Sequence, residues 1–397
     1  MKKTTIILLL VFLQIPSLDA LPVKDSLELE LTQLIKNSKI PGLAITIASD
    51  KGVRYTGGFG YKDKELKIAY DSLTIQPIAS ISKSIIGIAI MKLVEEGKVK
   101  LDADINTLLP FKIINPNFPN EKITLFQLAT HTSSITDTYK AESAGYFIID
   151  KKASTEHLPR EFCKNYKRYL KTDFLEYEDY LKTYLSINGK MFSKKIFGKY
   201  KPGTQYSYSN IASTLAAYIV EIVAGQSFEV YTKAQIFEPL GMKHTSWSKE
   251  GLNIKNMAKL YLQNGAKVPE YTNIFFPSST LHTNSHDIGK FMVEVINGYH
   301  GKGNLLNAKS YQYAMSNQLK NANLPEARGI FWFLNQDESN VFHTGANYGV
   351  TCRLYFNPTT NKALFFMMNM SAFEDKELTK VQFQILQILG KYSKKLD

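Results

Sequence analysis

Near the start of the chain Leu27, Leu31, Leu34 and Ile35 recur at intervals of three and four residues, the spacing of one helical face, before residues 37–42 stop the helix. Leu43, Ile45 and Ile47 then alternate with smaller residues at the period of a strand, and a turn at 49–52 leads into a second extended stretch reaching Gly57 and Gly58. This predicts a helix followed by a β-hairpin. The far end is similar in kind: β-branched and aromatic runs at 350–356 and 363–369 flank the turn Asn357-Pro358, and Leu378, Val381, Ile385 and Leu389 line one face of a closing helix. Between the two ends the pattern is mostly helical, at 82–96, 125–131, 210–223 and 287–296.

The architecture that joins these pieces most simply is α+β, an α/β sandwich. Its antiparallel sheet is built from both chain termini and flanked by helices, and a mainly helical domain is inserted between. Residues 21–75 and 285–397 are assigned to the sheet domain and 76–284 to the helical one. A stretch at about 137–200, rich in Lys, Tyr and Phe, carries no chemical motif and is expected to be a partly helical surface excursion; a wall of a substrate cleft is the alternative.

Composition narrows the class. With 397 residues, 44% of them hydrophobic, the chain can bury a full core. Residues 1–20 have the order of a secretory signal: Lys2 and Lys3, an apolar run from Thr4 to Ile15, then Pro16, Asp19 and small Ala20. That run is shorter than the roughly 20 residues a spanning helix needs. Export to a periplasmic or secreted location is therefore expected, with no stable membrane insertion after cleavage. Cys163 and Cys352 are too few and too far apart for a disulfide framework and are expected to be unpaired thiols. The formal charge of +12 is spread along the chain with no recognition motif, which argues against nucleic acid as a partner. No metal or other cofactor is expected: the seven histidines are scattered, and His282 and His286 lack further ligands nearby.

Three short motifs carry candidate chemistry. Ser80-Ile81-Ser82-Lys83 opens an apolar helix, so Ser80 and Lys83 share a face and the helix N-terminus adds partial positive charge where an oxyanion would form. For Lys83 to accept the Ser80 proton it must be neutral, as burial can make it. Tyr208-Ser209-Asn210 follows the turn Lys201-Pro202-Gly203 and precedes a long helix, placing a phenol for proton relay beside an amide. A second Tyr-x-Asn, Tyr271-Thr272-Asn273, lacks that setting. His343-Thr344-Gly345 stands before the 350–356 strand; as an isolated tripeptide it reads as a turn, with Gly345 allowing close backbone approach. The N–H groups of Ser80 and Ala346 then make a candidate two-donor oxyanion hole.

Ser-x-x-Lys, Tyr-x-Asn and His-Thr-Gly in this order resemble the serine β-lactamase and penicillin-binding-protein-like superfamily, in its class C β-lactamase and D-alanyl-D-alanine carboxypeptidase branch. Further landmarks extend the likeness along the chain: Gly57-Gly58-Phe59-Gly60, Leu101-Asp102, Ile123-Thr124-Leu125 and Phe237-Glu238-Pro239-Leu240-Gly241-Met242. The resemblance implies a nucleophilic Ser80, an acid/base pair of Lys83 and Tyr208, and substrate positioning by Asn210, His343, Thr344 and Gly345. It also implies an oxyanion hole from the Ser80 and Ala346 amides, with the site in a cleft between the two domains.

The chain departs from the family pattern at Ser134, where a glycine is usual after His-Thr-Ser, and at Ser279-Thr280-Leu281, where Gly-Gly-Leu is usual. His343 replaces the lysine common in true β-lactamases, and an unperturbed histidine is only roughly a quarter protonated at pH 7. Arg353 is a candidate source of the missing charge. The expected function is hydrolysis through an acyl-enzyme on Ser80, with a D-amino-acid peptide or an ester preferred as substrate. A cell-wall peptide is one candidate, and β-lactamase is an alternative. A non-catalytic envelope-binding or sensor protein with the same fold is the alternative from another class.

Overall fold

The computed structural model describes residues 21–171, 175–322 and 324–396; the expected signal segment lies outside them. A seven-stranded antiparallel sheet runs in the order Ile68–Ala69, Gly52–Asp63, Gly42–Ser49, Lys362–Met368, Val350–Asn357, Val341–Asn347, Phe333–Leu334. The two ends of the chain meet at its centre, where Leu43 pairs with Met368 and Ser49 with Lys362. The sheet built from both termini is thus present, as is the α+β class.

The strand Gly42–Ser49 shows how sequence period becomes layering. Gly42–Ser49 is buried along its whole length, so alternation sorts its side chains to two different covers. Leu43, Ile45 and Ile47 pack against the helices Val23–Lys36 and Lys376–Ser393, with Leu27, Leu31, Ile35, Leu378, Ile385 and Leu389. Ala44 and Ala48 face the larger core on the other side. There the helix Ser285–Tyr299 approaches closely, because Gly289 presents no side chain to Thr46 and Val53, and Thr46 Oγ1 donates to the Ser285 carbonyl at 2.6 Å.

The larger core continues without a break into the helices Ser82–Glu95 and Asn210–Ala224. The second of these is apolar on nearly all sides, as a helix surrounded by others must be. Its ends are set by Ser209, whose hydroxyl accepts from Ala212 N–H, and by Gly225 in the left-handed region. Residues 137–200 are more than a surface excursion. Tyr180, Leu181, Tyr184 and Leu185 enter the main core, and Ile148, Phe162, Tyr166 and Tyr169 form a third cluster with Leu262 and Val268. Among the described residues no single helix is long and apolar enough to cross a membrane. Cys163 is half-buried and Cys352 buried, and the two are not bonded to each other.

Candidate active site

Ser80 sits in a short 3-10 turn, Ala79–Ile81, that leads directly into the helix Ser82–Glu95. The turn is tight: Ala79 has φ 46°, a left-handed conformation that costs an L-residue about 1–2 kcal/mol, and it is fully buried. Packing therefore holds the backbone in a shape that leaves the next residue, Ser80, partly exposed.

Lys83 lies one helical turn on and is 0% exposed. Its Nζ is 3.2 Å from Ser80 Oγ, 2.8 Å from Asn210 Oδ1 and 2.9 Å from the Ser278 carbonyl oxygen. Burial brings its pKa down to about 7, against the opposing pull of Asp137 and Glu142. A neutral amine next to a serine hydroxyl is accordingly well populated near physiological pH.

Tyr208 completes the cluster. Its ring centroid is 4.9 Å from Lys83 Nζ, and its phenol is hydrogen-bonded with Ser80. Burial pushes this phenol well above its ordinary range, with the Ser80 hydrogen bond a smaller opposing effect. Tyr208 thus remains protonated, suited to handing on a proton rather than to taking the first one. The ring of His131 covers it at 4.4 Å between centroids. His131 Nδ1 accepts from Ser209 N–H at 3.3 Å, and burial holds its pKa well below 6.5, so it is a neutral wall.

His343-Thr344-Gly345 is not a turn. It lies within the strand Val341–Asn347, paired along its length with Val350–Asn357. The short strand Phe333–Leu334 pairs only with Phe342 and Val341, so residues 343–347 are left with an edge directed at the turn that carries Ser80. An ideal Cβ on Gly345 would lie 2.3 Å from the Ile78 carbonyl oxygen. Ala346, the expected second oxyanion donor, is exposed beside that contact, and Thr344 is half-buried opposite Arg353 across the strand pair.

His343, an expected positioning residue, is part of the cluster and is buried there. Its ring is 0% exposed, stacked on Phe333 at 4.5 Å, with Nδ1 2.8 Å from the Thr344 carbonyl oxygen. Burial and then Lys83 bring its pKa to about 3, so it carries no charge at neutral pH.

Two acidic residues that the sequence reading passed over belong to this site. Asp137 accepts from the Ser209 hydroxyl and from the N–H groups of Asn210 and Ile211, fixing the start of the helix that bears Asn210. Glu142 Oε1 accepts from Asn210 Nδ2 at 3.2 Å. Asp137 follows the His131–Ser134 landmark by three residues, and that adjacency was the available signal. Ser134, in place of the usual glycine, has φ 65° and takes a hydrogen bond from Asn115 Nδ2. Ser279 donates to Asn273 Oδ1 at 3.0 Å. Neither substitution removes a group that touches Ser80.

The Ser-x-x-Lys spacing recurs at Ser246 and Lys249. There the chain is not helical: Ser246 bridges to His282 and Lys249 pairs with Glu270. Tyr271 and Asn273 lie on the strand Tyr271–Asn273 and not at the start of a helix. A cavity of about 930 Å³ lies beyond Ser279 and Asn347, both of which line it, and its lining does not include Ser80, Lys83 or Tyr208.

A family model described as Beta-lactamase matches residues 27–387. The chain belongs to the beta-lactamase family. It is 27% identical over 342 residues to Protein flp of Staphylococcus aureus (strain MW2), covering 85% of this chain and 61% of that protein. The chain thus spans about three-fifths of the length of that curated relative. Its structure resembles the octameric penicillin-binding protein homologue from Pyrococcus abyssi, with a TM-score of 0.69, 25% identity, and 92% of this chain and 77% of that one covered. It has the same fold as the D-amino acid amidase from Ochrobactrum anthropi SV3, at TM-score 0.67 and 19% identity over 94% of this chain and 99% of the other.

Proposed function

We propose that the protein hydrolyses an ester or a peptide ending in a D-amino acid through an acyl-enzyme on Ser80. The observation that carries this reading is the placement of the Lys83 amine, buried, with a pKa near 7, and 3.2 Å from the Ser80 hydroxyl. In acylation Lys83 takes the hydroxyl proton as Ser80 Oγ bonds to the substrate carbonyl carbon. The oxyanion forms at the N–H groups of Ser80 and Ala346, Tyr208 passes its proton to the leaving alcohol or amine as it receives the one held by Lys83, and the bond to that group breaks. Water then adds to the acyl carbon, giving its proton back through the same pair, and the acid product leaves with Ser80 restored.

The neutral, buried His343 favours a peptidase or esterase over a β-lactamase, since it offers no cation to a β-lactam carboxylate. Arg353 lies opposite Thr344 in the strand register, and Arg328, over the Phe333 ring that stacks on His343, is a second cation on this side of the site. The segment ahead of residue 21 supports export, so an envelope or secreted substrate is proposed.

The test is a panel of a D-Ala-D-Ala peptide, nitrocefin and short-chain esters, with fluorophosphonate labelling mapped by peptide mass spectrometry. Turnover of the peptide or an ester, with label on Ser80, is expected. Label that persists in Ser80→Ala would overturn the assignment. A burst-free, inactive protein would favour the non-catalytic binder.

A further inference from the structure

Lys83 Nζ has three polar neighbours, and their chemistry decides whether it can act as a base. The Ser278 carbonyl can only accept. Asn210 presents either an accepting oxygen or a donating NH2, depending on which way its amide is turned. Ser80 can donate or accept. A neutral amine has two N–H groups and one lone pair. If both carbonyl oxygens face it, they take the two N–H groups and the lone pair is left for the Ser80 proton. If the amide is turned over, its NH2 competes for that lone pair.

We infer that Glu142 is a positioning residue of the hydrolytic site: by taking the Asn210 NH2 it holds the amide oxygen toward Lys83 and so leaves the Lys83 lone pair to Ser80. The inference rests on the reading of Ser80 as nucleophile. An ionised carboxylate only accepts, so Glu142 Oε1, 3.2 Å from Asn210 Nδ2, admits one amide orientation. Asp137 fixes the other end of the same residue by accepting from its backbone N–H. With backbone and amide both held, Asn210 Oδ1 stays 2.8 Å from Lys83 Nζ. Glu142 comes from the short helix Tyr139–Ser143 in the segment that carries no motif.

The charge of Glu142 has a second consequence. Around Lys83 stand Ser80, Tyr208, Asp137, Glu142, His131 and His343. The two histidines are held neutral by burial, and Tyr208 stays protonated. Asp137 and Glu142 are therefore the groups that raise the Lys83 pKa against burial. The charge of Glu142 also acts on Asp137, Tyr146, Tyr180 and Tyr208, and burial and then Asp137 raise its own pKa above the ordinary carboxylate value. Removing its charge moves the Lys83 midpoint down, whereas losing the amide orientation lowers the rate at every pH. A purely structural role moves neither midpoint.

The experiment compares wild type, Glu142→Gln, and Glu142→Gln combined with Asn210→Asp. The first readout is the pH dependence of Ser80 labelling by a fluorophosphonate. The second is the titration of Lys83 followed by NMR of ε-carbon-labelled lysine, its signal assigned with Lys83→Arg. Glu142→Gln is expected to fold like wild type, to label about tenfold to a hundredfold more slowly, as when a hydrogen bond to a charged group is lost, and to show an acid midpoint below that of wild type in both readouts. In the double variant the donor and acceptor of this pair are exchanged: the new amide at position 142 donates to the new carboxylate at position 210, whose other oxygen faces Lys83. Much of the lost rate is therefore expected to return at pH values above the Lys83 midpoint, which the carboxylate now facing the amine moves upward. An unchanged labelling rate with unchanged midpoints in Glu142→Gln overturns the inference. If wild type is not labelled at all, the acyl-enzyme reading fails, and an unmoved Lys83 NMR midpoint still counts against Glu142 separately.

Discussion

The strand bearing Gly345 lies so close to the turn bearing Ser80 that a Cβ at Gly345 would sit 2.3 Å from the Ile78 carbonyl oxygen. Two backbones in contact at this point set the gap between the Ser80 and Ala346 amides. A methyl group here must push the strand away from the turn. Gly345→Ala is expected to lower kcat/KM about a hundredfold, the effect of losing one oxyanion donor. Overpacking should also cost about 1–3 kcal/mol of stability. Steady-state kinetics on the best ester and a urea unfolding curve measure the two effects, and wild-type kinetics would show that the gap tolerates widening.

Because acylation needs the neutral form of Lys83, activity should rise with pH through a midpoint of about 7 and be lost as pH falls below it. The sign for stability follows from the same shift. The folded-state pKa is depressed below the ordinary 10.5, so the penalty for burying the amine is absent above about 10.5, grows as pH falls, and is fully present below about 7. Lys83→Arg fixes the positive charge and should reduce ester turnover about a thousandfold or more. A pH–rate profile whose acid limb stays near pH 10 would show that the Lys83 amine keeps its ordinary pKa and is not the neutral base expected near pH 7.

Asp137 satisfies three donors at the entrance of the helix Asn210–Ala224. Asp137→Ala leaves the Ser209 hydroxyl and two first-turn N–H groups without their acceptor in a buried place. A loss of about 2–4 kcal/mol is expected, with turnover falling as Tyr208 and Asn210 lose their fixed start. Chemical denaturation checks the first part, and labelling of Ser80 at a temperature well below the transition checks the second. Unchanged stability would mean that water or another group caps the helix as well.

The regular elements were legible in the sequence because their periods reflect which face is buried. The alternation of Leu43, Ile45 and Ile47 and the helical spacing of Leu378, Val381, Ile385 and Leu389 correspond to the strand Gly42–Ser49 and the helix Lys376–Ser393. His343-Thr344-Gly345 was not legible as strand. Its glycine and polar residues match no strand pattern, and its conformation comes from pairing with Val350–Asn357. Asp137 and Glu142 were invisible for a related reason: a single carboxylate in a polar, aromatic-rich stretch has no local pattern that separates a buried clamp from a solvated surface group.

The sequence alone determined the order of the motifs, the two-ended sheet and the pairing of Ser80 with Lys83 by helical spacing. It could not choose by spacing between Ser80-x-x-Lys83 and Ser246-x-x-Lys249, since both are the same string. Tertiary structure separated them by burying one lysine among Asn210, Ser278 and Ser80 and leaving the other at the surface with Glu270. The physical reason is that a lysine becomes a base only when it is desolvated, and desolvation depends on segments far apart in the chain closing around it.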